Sequence, residues 1–426
     1  MYKSILKNKS FLGYWGSTTL MRLASNMLQF ALAIFVLDLT GSALIFSTVL
    51  SAIIFPRIIG TPIAGYLADY KDCLRILKLG ALGLTALMLS FFLIHTLITP
   101  LNISLIYVLV ICLELCETLI SASEMKAVIC IVDENQIAAA SKLSSLDDGI
   151  VEILSPVIAG FAYGLFGIQA VLLATLVSEL VAILLTLMLR DRAKNMTENP
   201  GIMNKQSLLH EAMTSYKEAI VSLQEYNYVL GVILFAPLFN FFVSPLFSVT
   251  VPHFIRITTK SSIEIYTAYN LALGIASVVA PFIAMWLIRD KAEHKANLRG
   301  TIIYAFLMLI LSFVTQSFSS IQPATLLSII AGAMVLAVII ITLMSIATTI
   351  TVKTSIPEQV LGRIASIIQL CAIVSTPLGQ LLYGYFADRF PIFLSFACSS
   401  LGLLATYVIM KKTYKKLKRE KQKNGY

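Results

Sequence analysis

Long apolar stretches broken by short polar punctuation dominate the chain. Leu79–Leu113 and Tyr226–Val251 contain no Asp, Glu, Lys or Arg, and Gly300–Val352 is uncharged for 53 residues. A membrane-crossing helix needs about 20 apolar residues, so the last stretch alone accommodates two. Hydropathy read against Gly, Pro and charge predicts twelve helices, over residues 11–37, 43–66, 75–98, 103–123, 138–164, 169–189, 227–252, 266–288, 300–319, 325–351, 362–386 and 391–410. Several connections are minimal, such as LFGIQ at 165–169 and SSIQP at 319–323, which predicts antiparallel neighbours.

Composition agrees. Of 426 residues, 58% are hydrophobic and 13% charged, against roughly 25% charged in soluble domains. The chain reads as an all-α polytopic membrane protein with no room for a soluble catalytic domain. The first apolar run, Phe11–Leu37, is too long for a cleavable signal peptide and lacks a small-residue cleavage site. The six cysteines stand singly; Cys112 and Cys116, one turn apart, read as small apolar fillers. There is no HExxH, phosphate-binding loop or nucleophile elbow, so neither a metal nor an organic cofactor is expected and ATP drive is excluded.

Charge sets orientation. Of 32 Lys and Arg, 27 fall on one side, in the N-terminus, the even-numbered loops and the tail from Lys411. The opposite loops hold Arg256, Lys260 and Arg389, and Arg22 and Arg57 lie inside spans. The positive-inside rule places both termini in the cytoplasm. The net charge of +9 is therefore a product of topology and does not indicate nucleic acid. The tail KKTYKKLKREKQK reads as an anchor able to meet anionic lipid. The expected organisation is a six-helix bundle at 1–189, a linker at 190–225 carrying an amphipathic helix (Leu209, Met213, Tyr216, Ile220, Leu223), a second bundle at 226–410 and the basic tail at 411–426.

Landmarks recur between the halves. Ser155-Pro156 is followed by Tyr163-Gly164, and Thr376-Pro377 by Tyr383-Gly384; Pro156 and Pro377 are 221 positions apart, as are Asp69 and Asp290. Pro156 and Pro377 are candidate helix hinges. Such spacing fits two pseudo-symmetric bundles related about an axis along the membrane normal. GYLADYKDCLR (Gly65–Arg75) resembles the loop signature of the major facilitator superfamily. LDLTGSA (37–43), FPRIIGTPIAG (55–65) and IPEQVLGRIAS (356–366) resemble the branch that contains macrolide-efflux and siderophore-export carriers. The resemblance implies twelve helices, a cavity lined by spans 1, 4, 7 and 10, alternating access, a bacterial cytoplasmic membrane, a small-molecule substrate and a monomer. It also implies a conformational latch at Gly65, Asp69 and Arg75. Tyr70 and Asp72 stand where the signature usually has Arg and Gly.

The polar residues inside spans carry the candidate chemistry. Each charged group at the bilayer centre costs on the order of 2.5–3.5 kcal/mol on insertion scales. Glu114 and Glu117 share nearly one face of span 4. A carboxylate there can stay neutral when dehydrated and ionise when a cavity floods, which is what proton coupling needs. Each can also meet a cationic substrate or lock helices by pairing with arginine. Arg22, Asn26 and Gln29 form a polar stripe on span 1, and Arg22 is a candidate counter-ion for a span 4 acid or contact for an anionic substrate. Glu152 and Asp148 on span 5 are further acid candidates; Asp147 and Asp148 also fit solvated helix-start acids, and Glu179 of span 6 ranks lower. Arg57 is expected to pair with an acid of its own half. Spans 7 to 12 carry no core acid by these boundaries. Phe239, Asn240, Ser244, Asn270, Thr342 and Ser345 would supply an apolar, aromatic side to the cavity, unless the phenylalanines face lipid. The expectation is proton-driven efflux of a bulky amphipathic, macrolide-like compound, with export of a siderophore, peptide or lipid-like product as the alternative and a membrane lipid enzyme as a remote one.

Overall fold

The computed structural model describes the chain from Ile5 to Lys423, apart from residues 6–7, 71–72, 99, 133, 188, 190–226, 288–292, 318–320 and 356–357. The expected linker helix at 190–225 lies outside the described residues. Among those described, the architecture is helical with no strand. The helices are α1 (Lys9–Thr40), α2 (Ala43–Ala52), α3 (Ile54–Tyr70), α4 (Cys73–Leu93), α5 (Ile103–Ile131) and α6 (Glu134–Leu187). In the second half come α7 (Asn227–Pro245), α8 (Ile263–Leu287), α9 (Glu293–Gln316), α10 (Pro323–Ser355), α11 (Glu358–Arg389) and α12 (Ile392–Lys423).

These helices make twelve passes. Helices α2 and α3 are the two parts of span 2, broken where Pro56 sits in the first turn of α3. Helix α6 holds both spans 5 and 6, bent at Gly167, whose φ of 72° and ψ of −170° leave the helical region. That is the LFGIQ connection, and a side chain there would be strained. Span 7 continues beyond Pro245 through π-helical turns at Leu246–Thr250 and Phe254–Thr258. Among the described residues, ten stretches are long and apolar enough to cross a membrane. One of them, Gly149–Leu187, covers two passes, and α11 lies outside the ten.

Local chemistry sets the helix starts. The Asn8 side chain accepts from the amides of Ser10 (3.0 Å) and Phe11 (3.3 Å) at the head of α1, while its amide donates to the Ile131 carbonyl at the end of α5. Asn102 caps α5 by accepting from Leu105 N–H at 3.0 Å. Such caps satisfy donors that the first turn leaves open and contribute about 0.5–2 kcal/mol each.

The chain divides into two compact units. The first comprises Met1–Thr40, Ala52–Gly201 and Ser262–Leu271; the second comprises Gly41–Ser51, Ile202–Ser261 and Ala272–Tyr426. In the first unit α1 runs along α6, α4 packs on both α5 and α6, and α3 packs on α5. Small residues permit these approaches: a Cβ on Gly80 would press into Ile120, and one on Gly16 would meet Leu185 at 3.3 Å. In the second unit α7 packs on α11 and α12, and α9 on α10 and α12. There a Cβ on Gly300 would press into Met344 of α10, and one on Gly402 into Phe242 of α7.

Counted by span, most of the first set recurs six spans on: span 3 on spans 4 and 6 becomes span 9 on spans 10 and 12, and span 1 on the span 5–6 helix becomes span 7 on spans 11 and 12, while the packing of span 2 on span 4 is not matched by a comparable packing of span 8 on span 10 among the described residues. Spans 3 and 4 become 9 and 10, with Gly80 and Gly300 in matching roles, 220 positions apart. The Tyr-Gly landmarks behave alike. Gly164 admits Ile263 from the start of α8 into the first unit, and Gly384 admits Ser47, Ala43 and Leu44 of α2 into the second. The two six-helix bundles are pseudo-symmetric in most of these pairings and in the glycines at positions 80 and 300 and at 164 and 384.

Candidate functional site

The polar side chains of the first unit form two neighbouring groups. Arg57, at the start of α3, reaches Glu114 of α5 with two bonds, Nε–Oε1 at 2.6 Å and Nη2–Oε2 at 3.1 Å. The register is set by close helix approach, since a Cβ on Gly60 would stand 3.3 Å from Thr118. The Glu114 side chain is 3% exposed and that of Arg57 is 49% exposed. A two-pronged guanidinium–carboxylate contact is the strongest geometry available to such a pair. Glu114 therefore meets Arg57 and not Arg22.

The second group lies among α1, α5 and α6. Arg22 Nη2 is 3.2 Å from Glu124 Oε2, and Arg22 Nη1 is 3.7 Å from Asp147 Oδ2. Seven residues further along α1, Gln29 Nε2 lies 3.4 Å from both carboxylate oxygens of Glu117, which stands seven residues back along α5. Opposite steps of seven define an antiparallel helix pair whose two polar rungs are separated by about 10.5 Å at 1.5 Å per residue. The Ser25 hydroxyl also bonds to Glu117. Thr19 donates to Asp147 at 2.6 Å, and Tyr14 donates to the Glu124 carbonyl at 3.1 Å.

Placement changes the standing of several candidates. Asp147, expected as a solvated helix-start acid, is buried at 6% exposure because α1 covers it with Thr19 and Arg22. Glu152 is exposed on α6 and takes no part in this network. Asn26 is half-buried on the α1 stripe and Pro156 is half-buried inside α6. The side chains of Asp148, Gly65 and Asp69 lie outside the described residues; the backbone at Asp69 belongs to α3 rather than to a loop, and Arg75 is exposed on α4.

The C-terminal candidates are mostly engaged with their own helices. Asn270, which belongs to the first unit, donates to the Tyr266 carbonyl at 2.9 Å. In the second unit Thr342 donates to the Val338 carbonyl at 2.9 Å, and Ser244 accepts from Ser248 at 3.1 Å through its carbonyl. Ser345 is exposed and Asn240 half-buried. The Phe239 ring stacks edge-on against the fully buried Tyr304 at 5.9 Å and lies 5.5 Å from Phe235. Pro377 is buried in α11.

Spans 7 to 12 are expected to hold no core acid within their boundaries; Asp388, beyond the predicted end of span 11, is an exposed acid with a structural role. Helix α11 runs to Arg389, past the predicted end at 386, and carries Asp388 onto the start of α2. Its carboxylate accepts from Ser42 Oγ (2.5 Å), Ala43 N–H (2.6 Å) and Leu44 N–H (3.1 Å), capping that helix from another one. His253 Nε2 stands 3.7 Å from the same carboxylate. No group of three or more potential metal ligands occurs among the described residues.

Residues 14–379 match the Major Facilitator Superfamily. No curated protein sequence matches the chain. Its fold is similar to that of a D-xylose-proton symporter, with TM-score 0.67, 12% identity, and coverage of 96% of this chain and 97% of that one. A bacterial homologue of the iron transporter ferroportin gives TM-score 0.67 and 13% identity over 96% and 99% of the two chains. A nucleoside transporter gives 0.66 and 9% over 95% and 100%. These identities show the fold alone, a multi-pass helical transporter fold shared by proteins of different cargo. With the family match running from α1 into α11, the chain belongs to the Major Facilitator Superfamily, whose members are transporters.

Proposed function

We propose that this transporter is a proton-coupled exporter of bulky amphipathic, macrolide-like compounds, working by alternating access in a bacterial cytoplasmic membrane. Both termini are then cytoplasmic, the bundles are residues 1–189 and 226–410, and a monomer with no cofactor but the proton gradient suffices.

The observation that carries this reading is the setting of Glu117. Its hydrogen-bond partners, Gln29 and Ser25, are uncharged, whereas Glu114 is held by Arg57 and Glu124 by Arg22. A carboxylate at membrane depth without an ion-pair partner is suited to take up and release a proton as its surroundings dry and flood. One charge moved through 100 mV yields about 2.3 kcal/mol, enough to sustain a useful gradient. Export of an anionic siderophore is less well supported, because Arg22 is already shared by Glu124 and Asp147.

The test uses purified protein in liposomes loaded with a pH-sensitive dye, under an imposed proton gradient, with macrolides, cationic dyes and siderophores as probes. Macrolide-dependent proton flux that disappears in Glu117→Gln, with correct membrane insertion, is the expected result. Flux of normal size in that variant removes Glu117 from coupling.

A further inference from the structure

Helix α2 belongs to the second unit, yet Thr40 before Gly41 and Ala52 after Ser51 belong to the first. Its start is held by one side chain. The Asp388 carboxylate commits both oxygens to the first turn, Oδ1 to Ala43 N–H and Oδ2 to Ser42 Oγ and Leu44 N–H. One turn earlier on α11, Gly384 leaves room for the backbone of Ala43 and Leu44. Gly41, with φ of 63°, turns the chain into the helix, a conformation that glycine adopts without strain.

His253 completes the cluster. It stands on Val251–His253, the short stretch between the two π-helical turns of span 7, and such turns are frequent at functional positions. Its side chain is 9% exposed, and Nε2 lies 3.7 Å from Asp388 Oδ1, too long for a hydrogen bond. The ring also faces the backbone of Gly41. Among the described residues, the charged group acting on His253 is Asp388. Helix α11 also carries Arg389, exposed beside that acid, and Tyr383, which engages Cys398 of α12. The start of α2 brings backbone and Ser42, and on the span of His253 itself Arg256 donates to the Ser261 carbonyl at 2.8 Å.

A neutral imidazole suits this setting and an imidazolium does not. Burial opposes the charge, and the carboxylate that could balance it is already shared by three donors of α2. A charged ring can gain a short bond to Asp388 only by drawing the carboxylate away from those donors. We propose that His253 is the proton-operated release of a clasp that Asp388 makes on α2. The clasp holds while the imidazole is neutral. A proton taken from solvent at the ring nitrogen turns His253 into a competitor for the carboxylate, and the start of span 2 is freed. With both termini cytoplasmic this end of the helices faces outside, the side from which protons enter; that placement rests on the proposed topology, and the clasp does not.

Hydrogen exchange of the full-length protein in lipid tests this without a transported compound. Protection, corrected for the exchange of an unfolded chain, is followed between about pH 5 and 8, where an ordinary histidine titrates and an ordinary aspartate stays ionised. In the wild type, protection of the Ala43 and Leu44 amides should fall by about tenfold or more as the pH drops, as expected for amides that lose a charged acceptor. Leu105 N–H, capped by the non-titrating Asn102, should keep its protection throughout. His253→Gln should keep the α2 amides protected across the range, and His253→Asn serves the same purpose should the glutamine variant fail to fold. Wild-type protection that stays flat, or rises, as the pH falls refutes the release. A fall that persists without His253 overturns its role. Because no macrolide takes part, absent proton flux in liposomes would defeat only the export reading, and flat protection only the clasp.

Discussion

Removing either partner of the Arg57–Glu114 pair should destabilise the first unit, and by unequal amounts. The structure makes the two ends different: the Glu114 side chain is 3% exposed and that of Arg57 is 49% exposed. Arg57→Gln strands a buried carboxylate, for which the loss is about 3–5 kcal/mol unless the acid takes a proton. Glu114→Gln leaves the half-exposed guanidinium with an amide oxygen still able to accept one bond. That places its cost between the roughly 0.2–1 kcal/mol of exposed pairs and the buried figure, near about 2 kcal/mol. On the scale of domains of about 150–250 residues, 2 kcal/mol lowers Tm by roughly 4–8 °C. Thermal unfolding of detergent-purified protein, followed with a thiol-reactive dye on its own cysteines, reads these shifts. Arg57→Gln should melt below Glu114→Gln, and the double variant should recover part of the loss because no lone charge remains. Equal melting of both single variants and the wild type would show that the pair contributes nothing. A double variant no better than Arg57→Gln would refute the argument from a stranded charge.

Two further outcomes test the seating of α2 in the second unit. Asp388→Ala should release the α2 amides: losing a cap of about 1–2 kcal/mol corresponds to roughly 5–30-fold faster hydrogen exchange at Ala43 and Leu44, and unchanged exchange there would remove Asp388 as the cap. Gly384→Ala should cost about 1–3 kcal/mol, because its Cβ would fall 2.8 Å from the Ala43 carbonyl and 3.0 Å from Leu44 Cα, which are backbone atoms. Gly332→Ala, in open space on α10, should be neutral or raise Tm through helix propensity, worth up to about 1 kcal/mol. Melting curves in which the two alanine variants agree would contradict the packing argument.

Much of the fold is legible because lipid imposes a length and forbids charge, so uncharged runs such as Gly300–Val352 declare themselves. The LFGIQ loop is legible for a similar reason, since Gly167 supplies the one conformation that lets span 5 turn into span 6 without a spacer. The polar stripe on span 1 is legible as a stripe. What it touches is not, because partner choice depends on the register between helices distant in sequence. Arg22 could have met any span 4 acid by spacing alone; the structure gives it Glu124, and the seven-residue step then delivers Gln29 to Glu117. Arg57 needed a register fixed by Gly60 against Thr118, a contact that no local pattern encodes. Asp388 was not legible as a cap: the helix continues past the predicted end at 386 to Arg389 and carries the acid onto the start of α2. The Tyr-Gly landmarks were visible as a repeat, yet their use as seats for α8 and α2 shows only in the packing.

Under the proposed proton coupling, the charge balance of the first unit lets coupling and structural pairing fall to different acids. Its buried or half-buried acids at membrane depth include Glu114, Glu117, Glu124, Asp147 and Glu179, while Arg22 and Arg57 are the cations bonded among them. Among the described residues, two arginines bond to three of these five carboxylates. They are distributed unevenly: Arg57 bonds to Glu114, its charge also reaching Glu117, and Arg22 bridges Glu124 and Asp147. Among the described residues, Glu117 is left with neutral donors and Glu179 with none at its Oε2. A surplus of acid over base is costly in hydrocarbon unless a mobile cation makes up the difference, and the proton is the smallest one available. The division of labour follows from which acid stands within reach of a guanidinium. The α1–α5 register decides that reach, putting the charged rung at Arg22 and the neutral rung one heptad away at Gln29. Exchanging the rungs, with Arg at 29 and Gln at 22, would hold Glu117 as an ion and leave Glu124 and Asp147 without the guanidinium that now bridges them. In the dye-loaded liposomes that exchange should abolish coupled flux while leaving the total charge unchanged. Flux that survived it would show that the position of the arginine, and hence this division, is immaterial.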